Sequence, residues 1–167
     1  GVAIGALDAE PIVAIRGLLE DLGGTEQSTL IGGGKTSPER AAFFNSALSR
    51  YLDFMDAYLA KGETNHPPDN FGTVLAAAES VGASGKDLLT AFAVAYQVHT
   101  RLSDVAPVRA KGFDHTTQGA FAAGASAAKA LGLPADQIAN ALAIAGTANV
   151  ALRVTRTGNL SHWKGLA

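Results

Sequence analysis

The chain has no cysteine among its 167 residues, so disulfides, thiolate metal sites and a cysteine nucleophile are excluded. It also has no apolar run of roughly 18 residues, the length that a membrane-spanning helix needs. Its first residues lack the charged region and the long apolar segment of a signal peptide. These absences predict a cytoplasmic protein that does not associate with a membrane.

Several motifs of common enzyme classes are missing as well. The sequence contains neither H-E-x-x-H nor G-x-S-x-G, so we expect no dedicated metal site and no α/β-hydrolase nucleophile. The run GGGKT at residues 32–36 resembles the end of a phosphate-binding loop. However, Thr29 stands where the Walker motif needs its first glycine. A nucleotide site is therefore not predicted.

The charge is small overall but unevenly distributed. A formal net charge of −2 gives no indication of binding to nucleic acid or to an anionic membrane. Residues 1–96 contain 6 Lys/Arg and 12 Asp/Glu, whereas residues 97–167 contain 7 and 3. The basic half is too sparsely charged for a nucleic-acid groove but suits a small di- or tricarboxylate. Ordinary solvated surface charge would give the same distribution.

Apolar residues at helical spacing predict an all-α fold of six or so helices. No stretch except residues 28–31 shows convincing strand alternation, and no linker or internal repeat is apparent. We therefore expect residues 1–167 to form one helical domain. The predicted helices cover residues 9–22, 38 to about 60, 70–80, 85–103, 119–132 and 134 to about 149.

Residues 52–76 concentrate the side chains that could perform chemistry. Asp53 and Asp56 lie one helical turn apart, and His66 precedes two consecutive prolines. Because proline fixes the backbone, a histidine at this position loses little entropy when it engages a ligand. A solvated helix face, with Arg50 paired to Asp53 at i,i+3, explains the two carboxylates equally well.

Two further histidines lie in the second half of the chain. His115 precedes a helix of Gly, Ala and Ser that we expect to be central and buried, with free backbone N–H groups at its start. His99 is expected to be structural. Together, Asp53, His66 and His115 suit proton abstraction next to a carboxylate with loss of a β-substituent. Spacing alone leaves open whether they converge.

Four segments, taken in order, resemble the MmgE/PrpD family: LDFMDAYL with NHPPDNFGTVLAAAE, GKDLLTAFAVAYQVHTRL, KGFDHTTQGAFAAGASAAKALGL and ALAIAGTANVALRVTRTGNLSHWKGLA. The resemblance covers about residues 18–167. This family includes 2-methylcitrate dehydratase, cis-aconitate decarboxylase and iminodisuccinate epimerase. The long HPPDNFG form, the GFDH loop and the SHWKG tail are most similar to the 2-methylcitrate dehydratase branch.

The resemblance implies a multi-helix orthogonal array, followed in the family by a smaller α/β lid domain, within a homodimer. It also implies chemistry on a small polycarboxylate without a metal or other cofactor. Asp53, His66 and His115 match the family positions that face the substrate. Lys164 is the candidate for a lysine that lines the site, and we expect carboxylate binding from it and from Arg101 or Arg109.

On this basis we expect a hydro-lyase that dehydrates 2-methylcitrate, or a related hydroxy-tricarboxylate, to cis-2-methylaconitate, as in propionate catabolism. Either His115 or Asp53 would remove the proton, and His66 would protonate the departing hydroxyl; which group is acid and which is base stays open. The alternatives are a decarboxylase or epimerase of a related polycarboxylate, and a non-catalytic helical assembly domain. Because family members are several hundred residues long, we expect this chain to be the N-terminal part of a two-domain enzyme, truncated before the lid and inactive alone.

Overall fold

The computed structural model describes residues 1–156 and Leu166. These residues are mostly helical, so the predicted all-α class is confirmed. Three short 3₁₀ turns accompany the α-helices, at Pro67–Asn70, Arg109–Lys111 and Arg153–Arg156. The α-helices are α1 (Val2–Gly5), α2 (Glu10–Leu22), α3 (Pro38–Tyr51), α4 (Phe71–Ser80), α5 (Gly85–Val105), α6 (Thr116–Ala130) and α7 (Ala135–Ala148). Among these helices, none is both long enough and apolar enough to cross a bilayer.

Two small antiparallel hairpins interrupt the helices. In the first, β1 (Ser28–Thr29) pairs with β2 (Lys35–Thr36), and the glycines of the GGGKT run form the turn between them with positive φ angles. In the second, β3 (Tyr58–Ala60) pairs with β4 (Glu63–Asn65). The GGGKT run therefore belongs to a hairpin turn and not to the strand–loop–helix arrangement of a phosphate-binding loop.

Local sequence signals explain where several helices begin. Ser84 caps α5, because its hydroxyl oxygen accepts a hydrogen bond from the backbone N–H of Asp87 at 3.2 Å. Pro38 occupies the first position of α3 and Pro134 is the N-cap of α7, where the missing backbone N–H costs nothing. The starts of these three helices agree with the sequence prediction within one residue.

The predicted helix from residue 38 to about residue 60 is wrong in its second half. Helix α3 ends at Tyr51, and Asp53 adopts a left-handed φ of +54°. The apolar periodicity that extended the helix included Leu59, which is 76% exposed on β3. Hydrogen bonds from this segment to α5, including Tyr58 to Asp104 at 2.9 Å, stabilise the hairpin in place of a longer helix. Tertiary contacts here override local periodicity.

Helix α4 lies between two apolar clusters. Ala76 belongs to the first cluster, whose larger buried side chains come from α2 and α3, including Ile12, Phe44 and Leu48. Val74 belongs to the second cluster, which is built mainly from alanines of α4, α5 and α6. Helix α6 packs against α4, α5 and α7, as expected for a central helix of small residues. The alanine-rich second cluster lets these helices approach closely.

The contact between α3 and α4 depends on Gly72. A Cβ atom at this position would overlap the backbone nitrogen of Ser46 and lie 2.7 Å from the carbonyl oxygen of Ala42. These neighbours are backbone atoms of a packed helix, so they cannot move aside independently. This contact places the 3₁₀ turn at Pro67–Asn70, which immediately precedes α4, beside α3.

We predict that Gly72→Ala lowers the free energy of unfolding by at least about 2 kcal/mol, because the new methyl group must separate α3 from α4. Gly85→Ala is the matched control, since a Cβ at Gly85 meets nothing within 4 Å in the first turn of α5. Urea denaturation of both variants is the measurement. Equal stability of the two variants would contradict this account of the α3–α4 contact.

Candidate active site

His66 and His115 come from separate parts of the chain and meet side by side. Their ring centroids are 5.2 Å apart with an interplanar angle of 64°. His66 precedes the 3₁₀ turn that Pro67 begins, and His115 is the N-cap residue of α6. Two of the three catalytic candidates from the sequence are therefore neighbours.

Asp69 links these two histidines. Its Oδ2 lies 3.6 Å from His115 Nε2, and its Oδ1 lies 3.8 Å from Arg50 Nε. Both distances fit ion pairs but are too long for hydrogen bonds. The backbone N–H of Asp69 donates to the carbonyl oxygen of His66 at 3.0 Å. Asp69 therefore contacts His66 through the backbone and His115 through the side chain.

Arg50 brings Asp53 into the same cluster. The Arg50 side chain is only 5% exposed, and its Nη1 lies 2.5 Å from Asp53 Oδ1. The i,i+3 pair that the sequence offered as an alternative explanation is thus present. Asp53, at 39% exposure, reaches the cluster through Arg50, and its catalytic role stays a prediction.

Asp114 provides a second carboxylate for His115. Its Oδ1 lies 3.1 Å from His115 Nδ1 and accepts a hydrogen bond from the backbone N–H of Thr116 at 3.2 Å. The loop is fixed to the chain that follows α7, because the Asp114 N–H donates to the Ala151 carbonyl oxygen at 2.9 Å. Both ring nitrogens of His115 therefore face carboxylate oxygens.

His66 is half-buried and contacts the segment that follows α3. Burial lowers its pKa, and the nearby Arg50 guanidinium lowers the pKa further. Its Nδ1 lies 3.3 Å from the Asp56 carbonyl oxygen. The Asp56 carboxylate accepts a hydrogen bond from the Tyr96 hydroxyl at 3.1 Å; burial, together with this hydrogen bond, raises the pKa of Tyr96 to about 12. His66 is therefore held against a segment that α5 anchors.

His99 lies beneath the two catalytic candidates and is fully buried. Its Nδ1 is 3.3 Å from Asn70 Nδ2, and its Nε2 is 3.4 Å from the carbonyl oxygen of His115. An amide nitrogen can only donate and a carbonyl oxygen can only accept, so these partners assign a neutral ring protonated on Nε2. Burial lowers the pKa of His99 to about 4, consistent with the neutral form.

Buried amides extend this network under the site. The Asn65 side chain donates to the His99 carbonyl oxygen at 3.2 Å and to the Ser103 hydroxyl. Ser103 donates to Gln118 Oε1 at 3.0 Å, and Gln118 Nε2 donates to the Ala106 carbonyl oxygen at 2.8 Å. The network joins β4, α5 and α6, and thus fixes the elements that carry His66 and His115.

The predicted carboxylate-binding residues have other surroundings. Arg101 is exposed on α5, on the side of Tyr58. The Nε atom of Arg109 lies 3.3 Å from Oε1 of Glu63, whose side chain is fully buried. Lys164 lies outside the described residues. The carboxylate-binding roles of these three residues stay predictions, and Arg50 is the cation that the structure places against Asp69.

The sequence analysis did not single out Asp69 as a functional residue. The available signal was its position three residues after His66, in a segment that two prolines favour as a tight turn. A 3₁₀ helix has three residues per turn. Asp69, the third residue of the turn Pro67–Asn70, therefore returns to the side of His66, which precedes the turn. Arg50 was considered only as a partner of Asp53.

A cavity of about 900 Å³ adjoins Asp69. It lies between α3, α4, α6 and α7, and alanines and glycines form about half of its lining. Polar groups at its lining include Asn70, Thr116 and Thr155. Asp69 thus lines this cavity and also contacts His115. The described residues contain no group of three or more His, Asp or Glu side chains spaced to hold a metal ion.

Comparison with known proteins gives a consistent assignment. Residues 1–167 match the family model described as the MmgE/PrpD N-terminal domain. Similar proteins include the 2-methylcitrate dehydratases of Escherichia coli (strain K12), 34% identical over 140 residues, and of Cupriavidus necator, 35% identical over 140 residues. Each alignment covers 75% of this chain and 29% of the relative. A probable 2-methylcitrate dehydratase of Saccharomyces cerevisiae is 31% identical over 143 residues, which are 75% of this chain and 28% of that protein. The chain thus spans less than a third of the length of these relatives.

We predict that His99 makes the protein less stable in acid. Its pKa is about 4 in the folded state and ordinarily 6.5, so between these values only the unfolded chain binds the proton. Stability is therefore lost as pH falls from 6.5 toward 4, by up to about 1.4 kcal/mol per pH unit. Urea denaturation between pH 7 and pH 4.5 should show a flatter pH dependence for His99→Gln than for the wild type. Parallel curves would contradict this assignment.

Proposed function

Because this chain belongs to the MmgE/PrpD family, whose N-terminal domain it matches throughout, we propose that it carries acid–base residues of a hydro-lyase. Its substrate would be 2-methylcitrate or a related hydroxy-tricarboxylate. The observation that carries the proposal is the 5.2 Å approach of the His66 and His115 rings. The names of the similar proteins support dehydration over decarboxylation or epimerisation.

Dehydration of such a substrate needs two proton-transfer groups. A base removes the proton from the carbon next to a carboxylate, and that electron pair forms the new C=C bond. The C–O bond on the neighbouring carbon breaks, and an acid protonates the departing hydroxyl so that it leaves as water. Two imidazoles in contact can reach groups on adjacent carbons of one substrate.

The environments of the two rings differ and so separate their roles. Burial and Arg50 lower the pKa of His66, so His66 is neutral at pH 7 and suits the base. His115 faces a carboxylate at each ring nitrogen, 3.1 Å and 3.6 Å away, and suits the acid because an imidazolium donates from both nitrogens. This proposal reverses the expectation from the sequence, in which His66 protonates the hydroxyl.

Binding three substrate carboxylates requires cations beyond the described cluster. Arg50 lies against Asp53 and Asp69, so its charge is already opposed by two carboxylates. We assign the remaining binding to Lys164 and to parts of the complete protein outside this chain. Carboxylate binding by Arg101 and Arg109 stays a prediction. So do the homodimer, the α/β lid domain and the cytoplasmic location.

The test of the activity is a product screen with the complete gene product. When the protein is incubated with 2-methylcitrate, it should form cis-2-methylaconitate, which is detected by NMR. Parallel reactions with citrate, cis-aconitate and iminodisuccinate distinguish a dehydratase from a decarboxylase or an epimerase. Turnover of cis-aconitate with loss of CO₂, or no turnover of any of the four compounds, would contradict the proposal.

We predict that His66→Gln lowers kcat by about 100-fold or more, because a missing general base costs this much. In the wild type, kcat/KM should fall in acid with a midpoint below 6.5, since protonation of His66 removes the base and its pKa is lowered from 6.5. Glu20→Gln is the control, because this exposed carboxylate lies on α2, outside the histidine cluster. Activity of His66→Gln within about threefold of the wild type, under roughly 0.7 kcal/mol of barrier, would exclude His66 as the base.

A further inference from the structure

Four polar atoms converge around Asp69 without hydrogen-bond partners among the described residues. They are Arg50 Nε, both carboxylate oxygens of Asp69 and His115 Nε2, and all four are inaccessible to solvent. The Arg50 and His115 side chains are 5% and 6% exposed. Buried polar groups in this state are rare in folded proteins, and each needs a specific explanation.

The backbone determines where the Asp69 carboxylate lies. The Asp69 N–H donates to the His66 carbonyl oxygen at 3.0 Å, which closes the turn at its start. The next residue, Asn70, donates to the Pro67 carbonyl oxygen at 2.9 Å and contacts His99 at 3.3 Å. The turn that places His66 therefore also holds Asp69 opposite His115.

The two carboxylates beside His115 face different nitrogens of its ring and lie at different distances from them. Asp114 lies at hydrogen-bond distance from Nδ1, 3.1 Å away, whereas Asp69 lies 3.6 Å from Nε2. A neutral imidazole donates from one nitrogen only, so with Nδ1–H directed at Asp114, the Nε2 proton depends on Asp69. At 3.6 Å, Asp69 attracts this proton without forming a hydrogen bond that would retain it.

We propose that Asp69 is a positioning residue that orients the His115 ring and holds a proton on Nε2. Its effect on catalysis rests on the proposed function, in which His115 is the acid. Arg50 lies 3.8 Å from Asp69 and so provides an opposite charge in a buried position where an unpaired carboxylate would be unstable. Asp69 thus connects the charge of Arg50 to the protonation of His115.

If Asp69 only neutralised Arg50, removing its charge would lower stability and leave His115 unchanged. Glu63 provides the matched control. It is a fully buried carboxylate that lies 3.3 Å from Arg109 Nε and accepts hydrogen bonds from the backbone N–H groups of Val108 and Arg109 at 2.9 Å. Apart from the adjacent Thr64, its hydrogen-bond partners are in this loop. Removing either charge takes a carboxylate away from a neighbouring arginine, but only the removal at Asp69 changes His115.

The kinetic test compares Asp69→Asn with Glu63→Gln in the complete gene product. Both variants should lower the melting temperature. Only Asp69→Asn should lower kcat by at least about tenfold while KM changes less than about threefold, and Asp69→Glu should recover part of the loss. If kcat of Asp69→Asn stays within about threefold of Glu63→Gln, the inference is overturned.

A second measurement does not depend on activity. Nitrogen-15 NMR of the His115 ring should show Nε2 protonated in the wild type and in Glu63→Gln. In Asp69→Asn the signals should shift to the Nδ1–H form, because Asp114 remains and Asp69 no longer attracts the Nε2 proton. Identical His115 signals in the three proteins would overturn the inference.

These two measurements separate the possible failures. If the wild type turns over no hydroxy-polycarboxylate, the proposed function fails, and the NMR comparison still decides the role of Asp69. If Asp69→Asn does not fold, combining it with Arg50→Gln leaves no uncompensated charge buried. The Nε2 signal of this double variant should show the same shift, and an unchanged signal would overturn the inference.

Discussion

The site depends on the ion pair between Arg50 and Asp69 in the protein interior. Buried charges are costly to remove from water, so each persists only where an opposite charge compensates it. Arg50 comes from the last turn of α3, and Asp69 from the 3₁₀ turn that precedes α4. His115, at the start of α6, lies beside the same carboxylate. The pair thus requires α3, α4 and α6 to pack in one arrangement, and that arrangement brings the two imidazoles into contact.

Small residues and buried amides make such a polar interior possible. Alanines and glycines let α3, α4, α5 and α6 approach closely, which leaves little room for large apolar side chains near the site. The space is occupied by His99, Asn65, Ser103 and Gln118, whose hydrogen bonds run between elements. A network of this kind is stabilising when its members find partners and costly when one is removed. It therefore specifies one geometry for the loops above it.

The sequence predicted the helices well wherever caps and periodicity agreed, as at Ser84 and Pro38. It also identified His66 and His115 by residue type and local stiffness. It failed where long-range contacts decide the outcome. The helix predicted to about residue 60 ends at Tyr51 because hydrogen bonds to α5 stabilise a hairpin, and Arg109 lies beside a buried carboxylate from that hairpin. Asp69 was missed for the same reason, because the side chains that it pairs with, Arg50 and His115, are far from it in the sequence.

The central claim is that His66 and His115 act together on one polycarboxylate. A crystal structure of the complete gene product with propane-1,2,3-tricarboxylate, which lacks the hydroxyl that would leave, tests it most directly. We expect the ligand to lie between the two rings and to contact both imidazoles. A ligand bound away from both histidines, or rings separated so that one ligand cannot reach both, would contradict it.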